Sequence, residues 1–286
     1  MFYTLLFSII LQFGLSKDKE PEAFKLFDSK GKEINYDKIL ADIAQNDILL
    51  FGEYHDNPIC HWLQYELTQD LIALKEKKVQ LGFEMFERDV QIVVDEYVSG
   101  IIKEDKFMSD SRPWKNYKTD YKPLVQLAIE HNLKVSATNV PRRYASLVYS
   151  QGFDALHSLS NQTKAYFPPL PILYDADLPG YKAMLNNPMG GHSNPNLPKA
   201  QAMKDACMAW FILQDWKENQ LFVHYNGSYH SENHEGICWY LNQFQPKVRL
   251  KTISTVEQEN LKSLSKEHLG KADYILVINN HMTKTH

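Results

Sequence analysis

Short apolar runs alternate with stretches of helical periodicity along much of the chain. One run, Ile48-Leu49-Leu50-Phe51, empties into Gly52-Glu53-Tyr54-His55-Asp56-Asn57-Pro58, and a helical pattern begins directly after the proline. A buried strand that releases polar groups into a turn before a helix is how open α/β sheets build sites. Over 59–77 the apolar positions Trp62, Leu63, Leu67, Leu71 and Leu74 keep helical spacing. A second strand at 79–83 ends on Glu84, and a helix over 87–102 follows. Residues 106–119 are polar and aromatic, with Arg112-Pro113-Trp114, and read as a connector or a loop near the site. A helix over 121–132 leads to a third strand, 133–138, which closes on Asn139.

Ahead of these elements, 24–34 reads as a hairpin turning at Asp28 to Gly31, and 36–45 as a short amphipathic helix. After Asn139 the rhythm stops. Proline- and glycine-rich punctuation at 167–171 and 186–192 frames short helices, so 142–198 reads as a helical insertion or lid. A long helix at 199–217 returns to the core. Strands resume at 221–225, 248–253 and 274–278, with a helix at 235–243 between the first two. Strands alternating with helices predict an α/β fold: one domain over 17–286, with a largely parallel sheet and helices on both faces.

Composition narrows the class. A chain of 286 residues, 44% hydrophobic and 23% charged, can bury one large core. A formal net charge of -4 provides no basic stripe, which argues against nucleic acid as a partner. The 16 tyrosines suit a flat apolar ligand, and equally they fill half-buried surface. Cys60, Cys207 and Cys238 are far apart and odd in number, so they form neither a zinc spacing nor a complete disulfide framework. Each lies in an apolar pattern and reads as a buried thiol. Residues 1–16 are apolar and turn abruptly charged at Lys17-Asp18-Lys19-Glu20, which reads as an export signal too short to span a bilayer. The competing reading is an apolar N-terminal strand of a cytoplasmic protein. No cysteine follows the run to carry a bacterial lipid anchor.

Candidate chemistry gathers at the carboxyl ends of the strands, where ligands bind in open α/β sheets. Glu53, His55 and Asp56 follow the first strand, Glu84 ends the second and Asn139 the third. The fourth runs into Asn226-Gly227-Ser228-Tyr229-His230-Ser231. His55 and His230 are the leading pair, each near a glycine that lets backbone and imidazole approach a ligand. Asp56 and Asn57 lean to helix capping, Asn57 foremost. Asp205 falls inside an apolar helical pattern and requires a partner. His61, His131, His157 and His268 read as members of solvated helix faces.

Three chemistries stay open on the residues alone. Two histidines with carboxylates can hold a divalent metal, or serve metal-free acid–base hydrolysis through Glu53, His55, Glu84 and His230. Neither His-Glu-x-x-His nor Gly-x-Ser-x-Gly occurs. The third is haem, with Tyr229, His230 or His55 as iron ligand or distal group and Glu53, His192, Met189 and Met208 around the pocket.

Four blocks resemble the ChaN-like haem-binding (iron-regulated lipoprotein) family, within the broader erythromycin-esterase and Tiki-like group. They are Gly52-Glu53-Tyr54-His55-Asp56-Asn57, Gly82-Phe83-Glu84-Met85-Phe86, the helix from Ala200 to Ala209, and Asn226-Gly227-Ser228-Tyr229-His230 with Gly236-Ile237. The resemblance implies an exported bacterial protein, periplasmic or membrane-associated, that binds haem in iron acquisition. Haem would be its cofactor, an outer-membrane haem receptor its partner, and a homodimer its assembly. The broader group makes a metal-assisted or acid–base hydrolase the competing function.

Overall fold

The computed structural model describes residues 21–74, 78–186 and 194–285. β1 (Phe24–Asp28) and α1 (Tyr36–Ala44) come first, followed by β2 (Ile48–Glu53) and α2 (Pro58–Leu74). β3 (Lys78–Glu87) leads to α3 (Gln91–Val98), α4 (Glu104–Asp110) and α5 (Lys122–Glu130). Then come β4 (Val135–Asn139), α6 (Arg142–Gln151), α7 (Asn161–Lys164), α8 (Pro179–Asn186) and the long α9 (Leu197–Asp215). β5 (Gln220–Gly227), α10 (Ile237–Phe244), β6 (Leu250–Gln258) and β7 (Tyr274–Asn279) complete the order.

The strands form one sheet in the order β1-β7-β6-β2-β5-β3-β4, parallel throughout except for β1. β2 is buried at every position, as a central strand covered on both faces must be. Its alternation divides the core. Leu49 and Phe51 join the cluster under α1, α2 and α5, while Ile48 and Leu50 join the cluster under α6, α9 and α10. Each such side chain contributes roughly 1.5–3 kcal/mol on burial. The chain passes from β5 to β6 across β2, so the strand order reverses beside β2, where α/β sheets open a crevice at their carboxyl edge.

The expected hairpin at 24–34 is reduced to a turn with a single bridge, Phe27 to Glu33. β1 instead pairs along its length with β7, an antiparallel edge that no local pattern encodes. β3 runs past Phe83 to Glu87. Its register with β4 breaks between Phe83 and Glu87, and Glu84 lies inside that break rather than at the strand's end. The first part of 106–119 folds as α4 around the buried Phe107, and the second part crosses the site.

Candidate functional site

Gly52 lets β2 pass close to the turn after β5. A side chain there would meet the Ser228 Cα at 2.9 Å and the Ile253 carbonyl oxygen at 3.0 Å. The next residue, Glu53, is buried and ringed by donors. Tyr121 Oη donates to its Oε1, Gln64 Nε2 to its Oε2 at 2.6 Å, and His55 Nδ1 to its Oε1 at 2.9 Å. Burial opposes its charge, yet His61, His55 and Gln64 hold the carboxyl below the ordinary range.

His55 is fixed from several sides. Its carbonyl accepts from His61 Nε2 at 3.0 Å and from Asn116 Nδ2 at 2.9 Å. Its ring meets the Trp114 ring edge-on, centroids 4.6 Å apart. The opposite side lies over Gly227, where a Cβ would meet Cε1 and Nε2 at 3.0 Å. The side chain is 42% exposed, and its Nε2 has no hydrogen-bond partner among the described residues. Burial opposes its charge, but the bond to Glu53 and the Glu53 and Glu84 charges leave its pKa raised.

His230 is bound quite differently. Its Nδ1 donates to Asp205 Oδ1 at 2.5 Å and its Nε2 to Glu84 Oε1 at 3.1 Å, with all three groups buried. Glu84 Oε2 also accepts the Gly227 N–H at 2.8 Å, and Asp205 Oδ2 accepts from Tyr181 Oη at 2.7 Å. Burial opposes the imidazolium, yet Glu84 and Asp205 push its pKa up to about 10. The same contacts hold Glu84 well below the carboxylate range against its own burial. Both ring nitrogens being occupied, His230 is a buried cation in a clamp and has no lone pair for a metal or a proton at neutral pH.

A cleft of about 680 Å³ lies over these groups, bordered by Glu53, Tyr54, His55, Gly227, Tyr229 and His230. The candidates Glu53, His55, Glu84 and His230 are thus brought together, with Gly227 as their meeting point. Tyr229 is 43% exposed at the rim, and its hydroxyl donates to the Gly180 carbonyl at 2.7 Å, at the start of α8. Burial and the neighbouring Glu232, Asp205 and Glu235 push its pKa up to about 12. Met208 is fully buried on the face of α9 that packs into the core with Ile48, Leu50 and Phe222, and it does not border the cleft. His192 and Met189 lie outside the described residues.

Asn57 caps α2 as expected, its Oδ1 accepting from Ile59 N at 3.0 Å. Asp56 does not cap; it faces Lys284 at 3.5 Å. His61, expected on a solvated face, is buried because its ring bridges His55 O and Gln64 Oε1. Asp205 has its partners in His230 and Tyr181. Sequence reasoning missed Gln64, Tyr121, Trp114 and Asn116, each on an element whose approach to β2 is tertiary. Its only local signal was a polar, aromatic 106–119 flagged as near the site. The three cysteines are free and buried. Among the described residues, no group of three or more His, Cys, Asp or Glu is arranged to hold a metal ion. None of the described helices is long and apolar enough to cross a membrane.

Fold and cleft define an α/β protein with a polar cleft at the switch in strand order. Residues 39–241, more than half of the chain, match the family described as haem-binding uptake, Tiki superfamily, ChaN, and the chain belongs to that family. Haem binding related to uptake is the general function this membership carries. A solved structure of ChaN from Campylobacter jejuni, described as showing cofacial haem binding, superimposes with a TM-score of 0.65 at 18% identity. That match covers 91% of this chain and 98% of the other. A protein from Bacillus cereus superimposes with a TM-score of 0.51 at 12% identity, covering 85% and 90%. At these identities the likeness is one of fold. No curated protein matches the sequence.

Proposed function

We propose that this protein binds haem in the cleft over β2 and β5, with His55 as the iron ligand, and serves haem and iron uptake in an export compartment, periplasmic or membrane-associated. The observation that carries the ligand assignment is the Glu53–His55 pair. A buried carboxylate on Nδ1 orients the ring, makes it more basic and leaves Nε2 facing the cleft, the arrangement found behind metal-bound histidines. Haem would supply an iron that takes a protein side chain as ligand, and His55 would provide it. Trp114 and Gly227 hold the imidazole plane, and Tyr54 and Tyr229 offer aromatic borders to a flat ligand. Ligation by Tyr229 would require breaking its bond to Gly180 and removing a proton held near pH 12. His230 has no free nitrogen. The cofacial haem binding described for the Campylobacter jejuni relative supports haem as the ligand. The partners in this reading are a second copy of the chain and an outer-membrane haem receptor.

A Soret titration with haemin tests this. Wild type should give a saturable shifted band, His55→Ala should abolish the histidine-ligated spectrum, and Glu53→Gln should weaken binding roughly 10–100-fold. An unchanged titration in His55→Ala, with loss in Tyr229→Phe, would move the iron to Tyr229.

A further inference from the structure

Beyond β7 the chain reads Asn280-His281-Met282-Thr283-Lys284-Thr285, with one large apolar side chain and no period of helix or strand. Polar segments of this kind are ordinarily held loosely. This one is fastened at points that converge on a single turn. Met282 N donates to the Asn279 carbonyl at 3.0 Å, and its side chain packs against the core cluster under α1, α2 and α5. From there the segment passes the end of β6, where Lys284 pairs with Glu257, and reaches the turn between β2 and α2.

That turn, Tyr54 to Asn57, carries His55 and lies beyond the pairing of β2, so individual bonds set its shape. Thr285 N donates to the Asp56 carbonyl at 2.8 Å. Lys284 Nζ lies 3.5 Å from Asp56 Oδ1 and 5.8 Å from the centroid of the Tyr54 ring. Glu257, which holds Lys284, also accepts from Asn57 Nδ2 at 2.9 Å. His55 is reached by a relay. Thr285 Oγ1 donates to Asp120 Oδ2 at 3.0 Å, and the same oxygen accepts from Asn116 Nδ2 at 2.8 Å. Asn116 Nδ2 in turn donates to the His55 carbonyl at 2.9 Å. Asp120 and Asn116 are buried, so solvent gives them little in exchange for a lost bond. All four residues of the turn are thus held by this segment, directly or through shared partners.

We infer that Lys284 and Thr285 are positioning residues for His55: residues 280–285 form a strap that fixes the 54–57 turn, so that the imidazole keeps Nδ1 on Glu53 and Nε2 toward the cleft. Neither residue borders the cleft, so the strap acts through the turn. A binding side chain must stay within about 0.5 Å and 10–20° of its productive geometry, which an unsupported turn does not provide. The ligand role of His55 rests on the haem reading above, whereas the strap's hold on the ring is independent of it.

The test uses Thr285→Val, which removes the hydroxyl at constant shape, Lys284→Met, their double variant, and Thr285→Ser as the conservative control. Proton NMR of the haem-free protein reads the ring directly, through cross-peaks between the His55 and Trp114 rings and the ring-current shift that Trp114 imposes. Both should diminish in Thr285→Val and Lys284→Met, most in the double variant, and Thr285→Ser should restore them. The nitrogen-bound protons of His230, in its separate clamp, should not move. Haemin titration should show affinity lowered roughly threefold to tenfold in each single variant, less than the 10–100-fold of a partner bonded to the ligand itself. A double variant that keeps the wild-type cross-peaks and shifts overturns the inference. Loss of the His230 signals together with those of His55 overturns it too, since the strap would then serve the fold at large. A wild type that binds no haemin overturns the haem reading alone, and the ring signals still decide the strap.

Discussion

Replacing Asp205 with Asn tests the clamp that holds the β5 turn against β3 and α9. The wild-type carboxylate is buried and accepts from two donors, His230 Nδ1 and Tyr181 Oη. An amide of the same shape has one oxygen, so its NH₂ must face one of those donors. The variant also leaves the buried imidazolium with Glu84 as its single counter-charge. Removing one partner of a buried pair costs about 3–5 kcal/mol, and the remaining Glu84 places the expectation near the lower end, about 3 kcal/mol. For a chain of this size that is roughly 6–12 °C in Tm. The pH profile sharpens the test. His230 has its folded pKa raised to about 10, so its contribution is complete below about 6.5 and fades as pH rises through 10. In Asp205→Asn that fade should begin at lower pH. Urea unfolding from pH 6 to pH 10 measures both effects. Tyr181→Phe, which removes one hydroxyl and no charge, should cost about 1 kcal/mol and leave the profile in place. If Asp205→Asn lies within 1 kcal/mol of wild type with an unshifted profile, His230 is not the charged centre of a clamp.

His224, fully buried between Thr138 and Asn226, has its pKa pulled down to about 4 by burial. The unfolded chain therefore binds the extra proton first, and stability should fall as pH drops from about 6.5 to 4, by on the order of 3 kcal/mol. His224→Gln should flatten that limb of the stability curve; an unaltered slope would refute the assignment. Gly227→Ala would set a methyl 3.0 Å from two atoms of the His55 ring. It should tilt the imidazole and weaken haemin binding about tenfold or more with less than about 2 kcal/mol of stability lost, read by Soret titration beside thermal unfolding.

Legibility followed the range of the interaction involved. Ile48 to Glu53 was readable as a central strand because an unbroken apolar run ending in a polar turn has few other uses in an α/β chain. The Asn57 cap was readable because its bond spans two residues. Asp205 could be marked as a charge in need of a partner, since a carboxylate among Met203, Cys207 and Met208 is costly to leave alone. Its partner could not be named, because His230 reaches it only through the packing of β5 against α9. The long span of β3, the pairing of β1 with β7 and the burial of His61 were hidden for the same reason. Sheet neighbours and buried polar networks are decided by non-local contacts, and local periodicity carries no record of them.

The two histidines show the division most clearly. Sequence by itself determined that His55 and His230 would stand at the carboxyl edge of one sheet, since each closely follows a buried apolar run that leads into a glycine. Only the tertiary structure decided that they do different work. Glu53 engages one nitrogen of His55 and leaves the other to the cleft, whereas Glu84 and Asp205 occupy both nitrogens of His230. An imidazole's chemistry is set by what its two nitrogens meet, and those partners arrive from β2, β3 and α9 only when the sheet has formed.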